Sequence, residues 1–443
     1  MRVRLESIGC RLNISEMESL ARQVAAAGHR VVGPSETADL LVFNTCTVTA
    51  TASRKSRHIL RQLKRANPNA SVVATGCYAE MEPERLEALG LDLIVPNADK
   101  DHLAGILRER GLLPDTAEAV NDPQDSLDGN RTRAFLKVQD GCDNRCTFCI
   151  VTVARGAGAS RTPDSVIQEV RELESAGYRE AVLSGVHLGS YGHDQGDRHG
   201  LFRLVRRLLR ETSIPRLRLS SLEPWDLDDA FFDLFDDPRL LPHLHLPLQS
   251  GCDATLQRMA RRTTQAEFAS LVEAARRRNP DMAISSDIIV GFPGETEDEF
   301  NESVDFVEAM AFSRLHIFRY SARLGTRAAT MPHQVPGPVA AERSRRMHEL
   351  GAAQEAAFAG RFVGRTVPVL WEAPEDFGDT RRWSGLTDYY VRVATEAPAT
   401  IDLTNRVTPT RIAATLPGGL LGEVDGVSIP NLIEPQSNRL PVL

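Results

Sequence analysis

Residues 137–150 read KVQDGCDNRCTFCI, and the centre of that stretch, GCDNRCTFC at 141–149, brings Cys142, Cys146 and Cys149 within eight positions. Thiols this close invite a metal, yet a structural zinc shell needs four ligands, typically from paired C-x2-C halves, and no second half is nearby. A disulfide pair does not suit the reducing compartment that the rest of the chain implies. Three inert thiols at this spacing would be a coincidence. A 4Fe-4S cluster held by three thiolates fits, and it leaves one iron open for a further ligand. The trio directly follows an apolar run, RAFLKVQ (133–139), that reads as a β-strand. Ligands of parallel α/β folds collect at that C-terminal end of a strand.

Working outward, strand and helix patterns alternate on both sides. Downstream, EAVLSG (180–185), RLRLSS (216–221), HLHLPLQ (243–249), AISSDIIVGF (283–292) and RLHIFRYS (314–321) read as strands with helical patterns between them. One such helix has Thr162 as N-cap and Pro163 at its first position. Six units predict a partial (β/α)6 barrel with its active groups at the strand C-terminal ends. Upstream, three apolar runs each end in a cysteine: VRLESIGC at Cys10, ADLLVFNTC at Cys46 and ASVVATGC at Cys77. Helical patterns separate them, one opening on a capping box of Ser15 and Glu18, another placing Ile59, Leu60 and Leu63 on one face. This alternation predicts an N-terminal parallel sheet. Its strand ends would gather Cys10, Cys46 and Cys77 at one edge, as a cluster site requires; the alternative is three buried free thiols. Cys252 stands alone and reads as a structural thiol.

The predicted division is 1–112 for the N-terminal domain, 113–132 for a polar acidic linker, 133–360 for the barrel and 361–433 for a small C-terminal β-barrel. In the last, RTVPVLWEA, LTDYYVRVA and TRIAATLPGGLLGEV carry the alternation and β-branching of short strands. Trp371, Trp383, Tyr389, Tyr390, Arg381, Arg382 and Arg392 could meet RNA there, or the aromatics could be core. The chain has 443 residues, 42% hydrophobic and 25% charged, with a net charge of −8. That balance argues against a protein that simply coats nucleic acid, although basic runs occur at 53–58, 203–210, 258–262 and 276–278 and read as solvated helix faces. No apolar run approaches the roughly 20 residues of a membrane span, and the N-terminus has no signal-peptide pattern. The expected location is the cytoplasm, away from any membrane.

The trio after the first barrel strand, with Phe148 before its last cysteine, resembles the radical S-adenosylmethionine (SAM) superfamily. Taken with the upstream trio and the C-terminal strands, the whole chain resembles the radical SAM methylthiotransferases, built from an N-terminal three-cysteine domain, a radical SAM domain and a TRAM domain. The resemblance implies that Cys142, Cys146 and Cys149 hold a 4Fe-4S cluster whose free iron chelates SAM. It implies that Phe148, Ser184, Gly185, Ser220 and Gly291 flank SAM, and that Cys10, Cys46 and Cys77 hold an auxiliary 4Fe-4S cluster that carries the sulfur. Within the family GCRLN (9–13), NTCTVTATAS (44–53), GVHLGSYG (185–192), LRLSSLEP (217–224) and LHLPLQSG (244–251) look most like the branch that thiomethylates carbon 2 of N6-threonylcarbamoyladenosine beside the anticodon of tRNA. Sister branches act on isopentenyladenosine or on a ribosomal-protein aspartate, and differ at the positions held here by Arg11 and Leu12. The implied partners are a tRNA anticodon stem-loop, a flavodoxin- or ferredoxin-type electron donor and a sulfur donor. A rival of another class is a non-catalytic Fe-S protein that binds RNA. The chain departs from the family pattern in IVTVARGAGASR after Cys149, which keeps Arg155 and Gly156, and at Arg319 and Leu324, where proline is usual.

Overall fold

The computed structural model describes residues 1–114, 132–377 and 379–424. The expected linker therefore lies, apart from its ends, outside the described residues, as do the last nine positions expected of the C-terminal barrel.

Strands Arg2–Ser7, Arg30–Val31, Leu40–Thr45, Ser71–Gly76 and Leu93–Val95 form one all-parallel sheet, with Arg30–Val31 at one edge and Leu93–Val95 at the other. Successive side chains of a strand face opposite ways. Leu40 and Val42 accordingly pack with Val3, Leu20 and Val24 on one side, while Leu41 and Phe43 pack with Leu60, Leu63 and Tyr78 on the other. Both faces are covered, as a parallel sheet demands. The short strand at 30–31 has too little apolar pattern to read from sequence. The first helix also differs from expectation. It runs Arg11–Ala26 with Cys10 as N-cap, so Ser15 lies inside it, its hydroxyl bonded to the Leu12 carbonyl. Glu18 accepts the Phe135 amide instead of closing a capping box.

The central unit has the six expected strands: Arg133–Lys137, Glu180–Ser184, Arg216–Leu219, His243–His245, Ala283–Val290 and Arg314–Arg319. They form two parallel three-stranded sheets, joined by bridges Leu217–Leu240 and Ser221–His245 into an open barrel. Pro163 opens the helix Pro163–Ser175 with Thr162 as its N-cap residue. Along Ala283–Val290, Ile284, Ile288 and Val290 point into the core shared with the outer helices. The alternate residues face the lumen. Ala283 packs at the floor against the C-terminal unit, and Ile289 lies near the mouth beside Phe148 and Tyr320.

After the helix Gly337–Gly360, strands Thr366–Trp371, Val407–Leu416, Gly419–Val424, Arg392–Pro398 and Thr380–Thr387 pair in that order, and the last pairs back onto the first. This closes a five-stranded barrel. Trp371 and Trp383 fill its core, and Tyr389 stacks 4.8 Å from Phe362. Of the two readings left open for these aromatics, the core reading holds for Trp371 and Trp383, because a small barrel must be filled. Tyr390, held at φ +62°, reaches into the floor of the central barrel, where the ring lies 4.6 Å from His243. Arg381, Arg382 and Arg392 pair with Asp376, Glu396 and Glu372.

Candidate active site

Each cysteine of the N-terminal trio sits just beyond a strand: Cys10 after Arg2–Ser7, Cys46 after Leu40–Thr45 and Cys77 after Ser71–Gly76. Parallel strands share one C-terminal edge, so three positions far apart in sequence meet. A Cβ on Gly9 would stand 2.7 Å from Cys46 Sγ, which shows how closely the Cys10 and Cys46 loops approach. Gly76, at φ +98°, turns the third strand into Cys77; a Cβ there would lie 2.4 Å from the Thr45 carbonyl oxygen. Cys46 and Cys77 are buried and Cys10 is exposed. Burial pushes the Cys46 thiol up to about 11.

The second trio lies on the loop after the first barrel strand. Cys142 N donates to the Gly156 carbonyl, Cys149 N donates to the Cys146 carbonyl, and Asn144 N donates to Cys142 Sγ at 3.4 Å. Three charged side chains approach the two sets of sulfurs. His187 Nδ1 lies 3.9 Å from Cys142, its other nitrogen on Asp226. Burial disfavours its charge, but Asp226 and Cys142 outweigh that and raise the imidazole to about 10. Arg261 stacks 4.6 Å from the centre of Trp225, pairs with Glu223 at 2.6 Å and lies 3.8 Å from Cys146. Burial pushes the Cys149 thiol up to about 12.

Arg155 ties the trios together. It follows Cys149 on the short helix Val151–Arg155, yet its Nε donates to Cys77 Sγ at 3.2 Å. Its other nitrogens bond Glu16 at 3.0 Å, Asp140 at 2.9 Å and Asn13 at 2.8 Å. Glu16 also holds Lys100 at 2.8 Å. Burial alone would raise the Glu16 carboxyl; Arg155, Lys100 and Lys137 overcome it and hold the group at about 2. Arg323, on the loop after the last barrel strand, bonds Thr47 and Ser53 beside Cys46. A cleft of about 450 Å³ opens between Met81–Arg85, just past Cys77, and Ile150, Arg323 and Leu324. Val48 and Leu324 on these loops and Val153 on the short helix after Cys149 are all exposed.

The donor sets fit iron–sulfur clusters. All seven cysteines are free. Among the described residues, the sole group of three metal-ligating side chains whose atoms lie within 4.8 Å of one another is His245, Asp287 and His316, in the barrel lumen. Neither thiol trio is that tight, whereas one tetrahedral zinc with bonds of about 2.3 Å draws sulfurs to roughly 3.8 Å. Thiolates set further apart suit a cubane, whose irons each take one. The Ser220 and Tyr320 hydroxyls are buried near the mouth without a partner among the described residues, as a ligand pocket would leave them.

Of the residues expected to flank SAM, Phe148 packs edge-on against Phe292 at 6.4 Å beside the Cys149 loop. Ser184 and Gly185 end the second strand against Gln139; a Cβ on Gly185 would stand 2.9 Å from Gln139 Oε1. Ser220 directly follows the third strand. Gly291 has φ +73°, and a Cβ there would meet the Ala340 side chain at 2.7 Å, so the helix beside it already requires glycine. Sequence reasoning did not single out Glu16, His187, Asp226 or Arg261. Arg261 lay in a basic run read as solvated, and is buried; Glu223 in SSLEP, an unpaired-looking acid at a strand end, was the available signal.

Comparisons with known proteins agree with this geometry. The profile described as uncharacterized protein family UPF0004 matches residues 2–96, and that of the Radical SAM superfamily matches residues 136–307. The chain is 36% identical over 404 residues to a threonylcarbamoyladenosine tRNA methylthiotransferase, MtaB, of Bacillus subtilis, covering 88% of this chain and 89% of the relative. It is 33% identical over 448 residues to a tRNA-2-methylthio-N(6)-dimethylallyladenosine synthase of Maricaulis maris, covering 96% and 97%. Among solved structures, TsrM of Kitasatospora setae, a radical SAM methyltransferase with cobalamin and a [4Fe-4S] cluster bound, is similar with a TM-score of 0.53 at 16% identity, covering 74% of this chain and 77% of that one. That last likeness concerns the fold alone. The chain belongs to the radical SAM tRNA methylthiotransferases, enzymes that work with SAM and two 4Fe-4S clusters.

Proposed function

We propose that this enzyme inserts a methylthio group at carbon 2 of N6-threonylcarbamoyladenosine at position 37 of tRNA, next to the anticodon. The observation that carries the choice among tRNA substrates is the stretch GCRLN at 9–13, with Arg11 directly after the first cysteine of its trio. Three relatives named for this activity, at 35–36% identity over 84–88% of the chain, support it.

In this reading Cys142, Cys146 and Cys149 hold the cluster that binds SAM, with Phe148, Ser184, Gly185, Ser220 and Gly291 around it, and Cys10, Cys46 and Cys77 hold the auxiliary cluster. Bound SAM and the clusters supply sulfur methylation and the radical removal of hydrogen from a carbon whose proton no side-chain base could take. The chain supplies placement. Arg155 keeps the two cysteine edges facing each other, the exposed apolar residues of the cysteine loops meet an unstacked base, and an anticodon-loop nucleotide costs little to unstack. The domain division 1–112, 133–360 and 361–433 follows the same reading. Electrons come from a flavodoxin- or ferredoxin-type protein, and sulfur from a separate donor.

The test is deletion of the gene followed by mass spectrometry of tRNA nucleosides. Loss of 2-methylthio-threonylcarbamoyladenosine, with the unthiolated nucleoside accumulating, is expected. Loss of the isopentenyl derivative instead would reassign the enzyme to the sister tRNA branch, and an unchanged profile in a strain with no second enzyme would remove tRNA position 37 altogether.

A further inference from the structure

We propose that Arg11 reads the carboxylate of the N6-threonylcarbamoyl group and so selects adenines with an acidic N6 substituent. The inference deepens the reading above and rests on it.

Three guanidiniums surround the Tyr390 ring: Arg11 at 5.0 Å, Arg218 at 4.7 Å and Arg133 at 5.9 Å from its centre. Two of them have carboxylates. Arg218 pairs with Glu180 at 2.7 Å, and Arg133 pairs with Glu372 at 3.0 Å. Neighbouring Arg216 shares Glu180 and Asp388. Arg11 has no carboxylate within 4.0 Å among the described residues; its one side-chain bond is from Nη2 to the Tyr390 hydroxyl. A guanidinium offers five N–H donors, and removing it from water is favourable only when acceptors replace the water. Where each neighbouring guanidinium touches a carboxylate, this half-buried cation is left with most of its donors unused.

Its position says which acceptor belongs there. Arg11 follows Cys10 directly and is the first residue of the helix Arg11–Ala26, so its backbone is set by the auxiliary trio. Its side chain then spans from that trio to the lumen floor, where Tyr390 meets His243. A substrate adenine that offers carbon 2 to the auxiliary cluster carries its N6 substituent a few bonds away, on the same ring. In threonylcarbamoyladenosine that substituent ends in a carboxylate, the group that a planar guanidinium binds through two parallel hydrogen bonds. A neutral isoprenoid group at that place would leave the cation unpaired. Specificity built on an unmet buried polar group is the strong kind.

The experiment compares two anticodon stem-loops that differ in one group, the threonylcarbamoyl acid and its methyl ester. They are presented to reconstituted wild-type, R11K and R11Q enzymes, with Kd from fluorescence anisotropy and kcat and KM from product mass spectrometry. Wild type should prefer the acid at least tenfold in Kd and KM, with kcat little changed. R11Q should lose that preference, and R11K should recover part of it. Equal treatment of acid and ester by wild type overturns the proposal. So does a preference retained in R11Q, or an equal weakening of both substrates, which would mark Arg11 as only a prop for Tyr390. If R11Q fails to load iron, the wild-type acid–ester comparison decides alone. A wild type that binds the acid selectively yet never thiomethylates it would refute the proposed reaction and leave the Arg11 contact standing.

Discussion

Arg155 shows how much one side chain can carry. Its Nε–H···Sγ contact reaches Cys77, proposed above to hold the auxiliary cluster, and such bonds to a ligand sulfur raise reduction potentials. Arg155→Met should shift the auxiliary cluster to a more negative midpoint, measured by EPR-monitored redox titration. It should also cost about 3–5 kcal/mol in urea unfolding, because Glu16 and Asp140 lose their guanidinium partner. An unshifted midpoint would remove the proposed contact between Arg155 and the ligand. The thiols make a separate prediction. Cys46 at about 11 and Cys149 at about 12 are protonated near neutrality, and iron takes thiolates. Iron loading of the apo chain should therefore speed up as pH rises from 7 to 9. A rate that is flat over that range would mean deprotonation does not limit assembly.

Among elements, the strand-to-cysteine turns and the helix Ala50–Ala66 are the informative ones. Gly76→Ala forces a Cβ into the Thr45 backbone at a positive φ, so the Cys77 turn must open. Iron content should fall from about eight to about four per chain while the other cluster's signal persists; full iron would mean that the turn tolerates the change. The helix 50–66 carries six lysines and arginines and no acid. Ser53, Ser56, Leu60 and Leu63 are buried, leaving Arg54, Lys55, Arg61 and Arg65 exposed, with no salt bridge among the described residues. Since its N-terminus abuts the Cys46 loop, phosphates of a docked stem-loop are natural partners. Arg54→Glu with Arg61→Glu should weaken stem-loop binding and flatten the plot of log K against log salt by roughly 0.7–0.9 for each phosphate no longer neutralised. An unaltered slope would place the RNA backbone elsewhere.

At the scale of the molecule, two buried carboxylates join the units. Glu16 links the N-terminal helix to the barrel, and Glu180 holds Arg216 and Arg218 under the C-terminal barrel. Burial pushes each carboxyl up, and the neighbouring cations more than reverse it, holding both at about 2. A depressed carboxyl stabilises the fold above its unfolded value near 4.5 and loses that contribution as pH falls toward 2. Thermal melting of the apo chain should thus be insensitive to these groups from pH 7 to about 5 and drop below that. Glu180→Gln, which leaves two buried arginines without a charge partner, should flatten the acid limb as well as lower the melting temperature at pH 7. An unchanged acid limb would mean that Glu180 does not set it.

The sequence alone determined the three units and both thiol trios. Strand and helix periods are local, and the shared edge of parallel strands turns three distant cysteines into neighbours without any need of coordinates. The C-terminal aromatics show where such reading stops, since an exposed and a filled aromatic have the same local pattern and only barrel closure buries Trp371 and Trp383. The charged residues show it further. Arg261 and Arg155 look like surface cations in the sequence and are buried in the structure; Glu16 and Lys100 are 84 positions apart in sequence and in contact at 2.8 Å. Ion pairing depends on where side chains end, which no period encodes. For the same reason it took the assembled barrel floor, where the other guanidiniums each touch a carboxylate, to show that Arg11 has none within reach among the described residues.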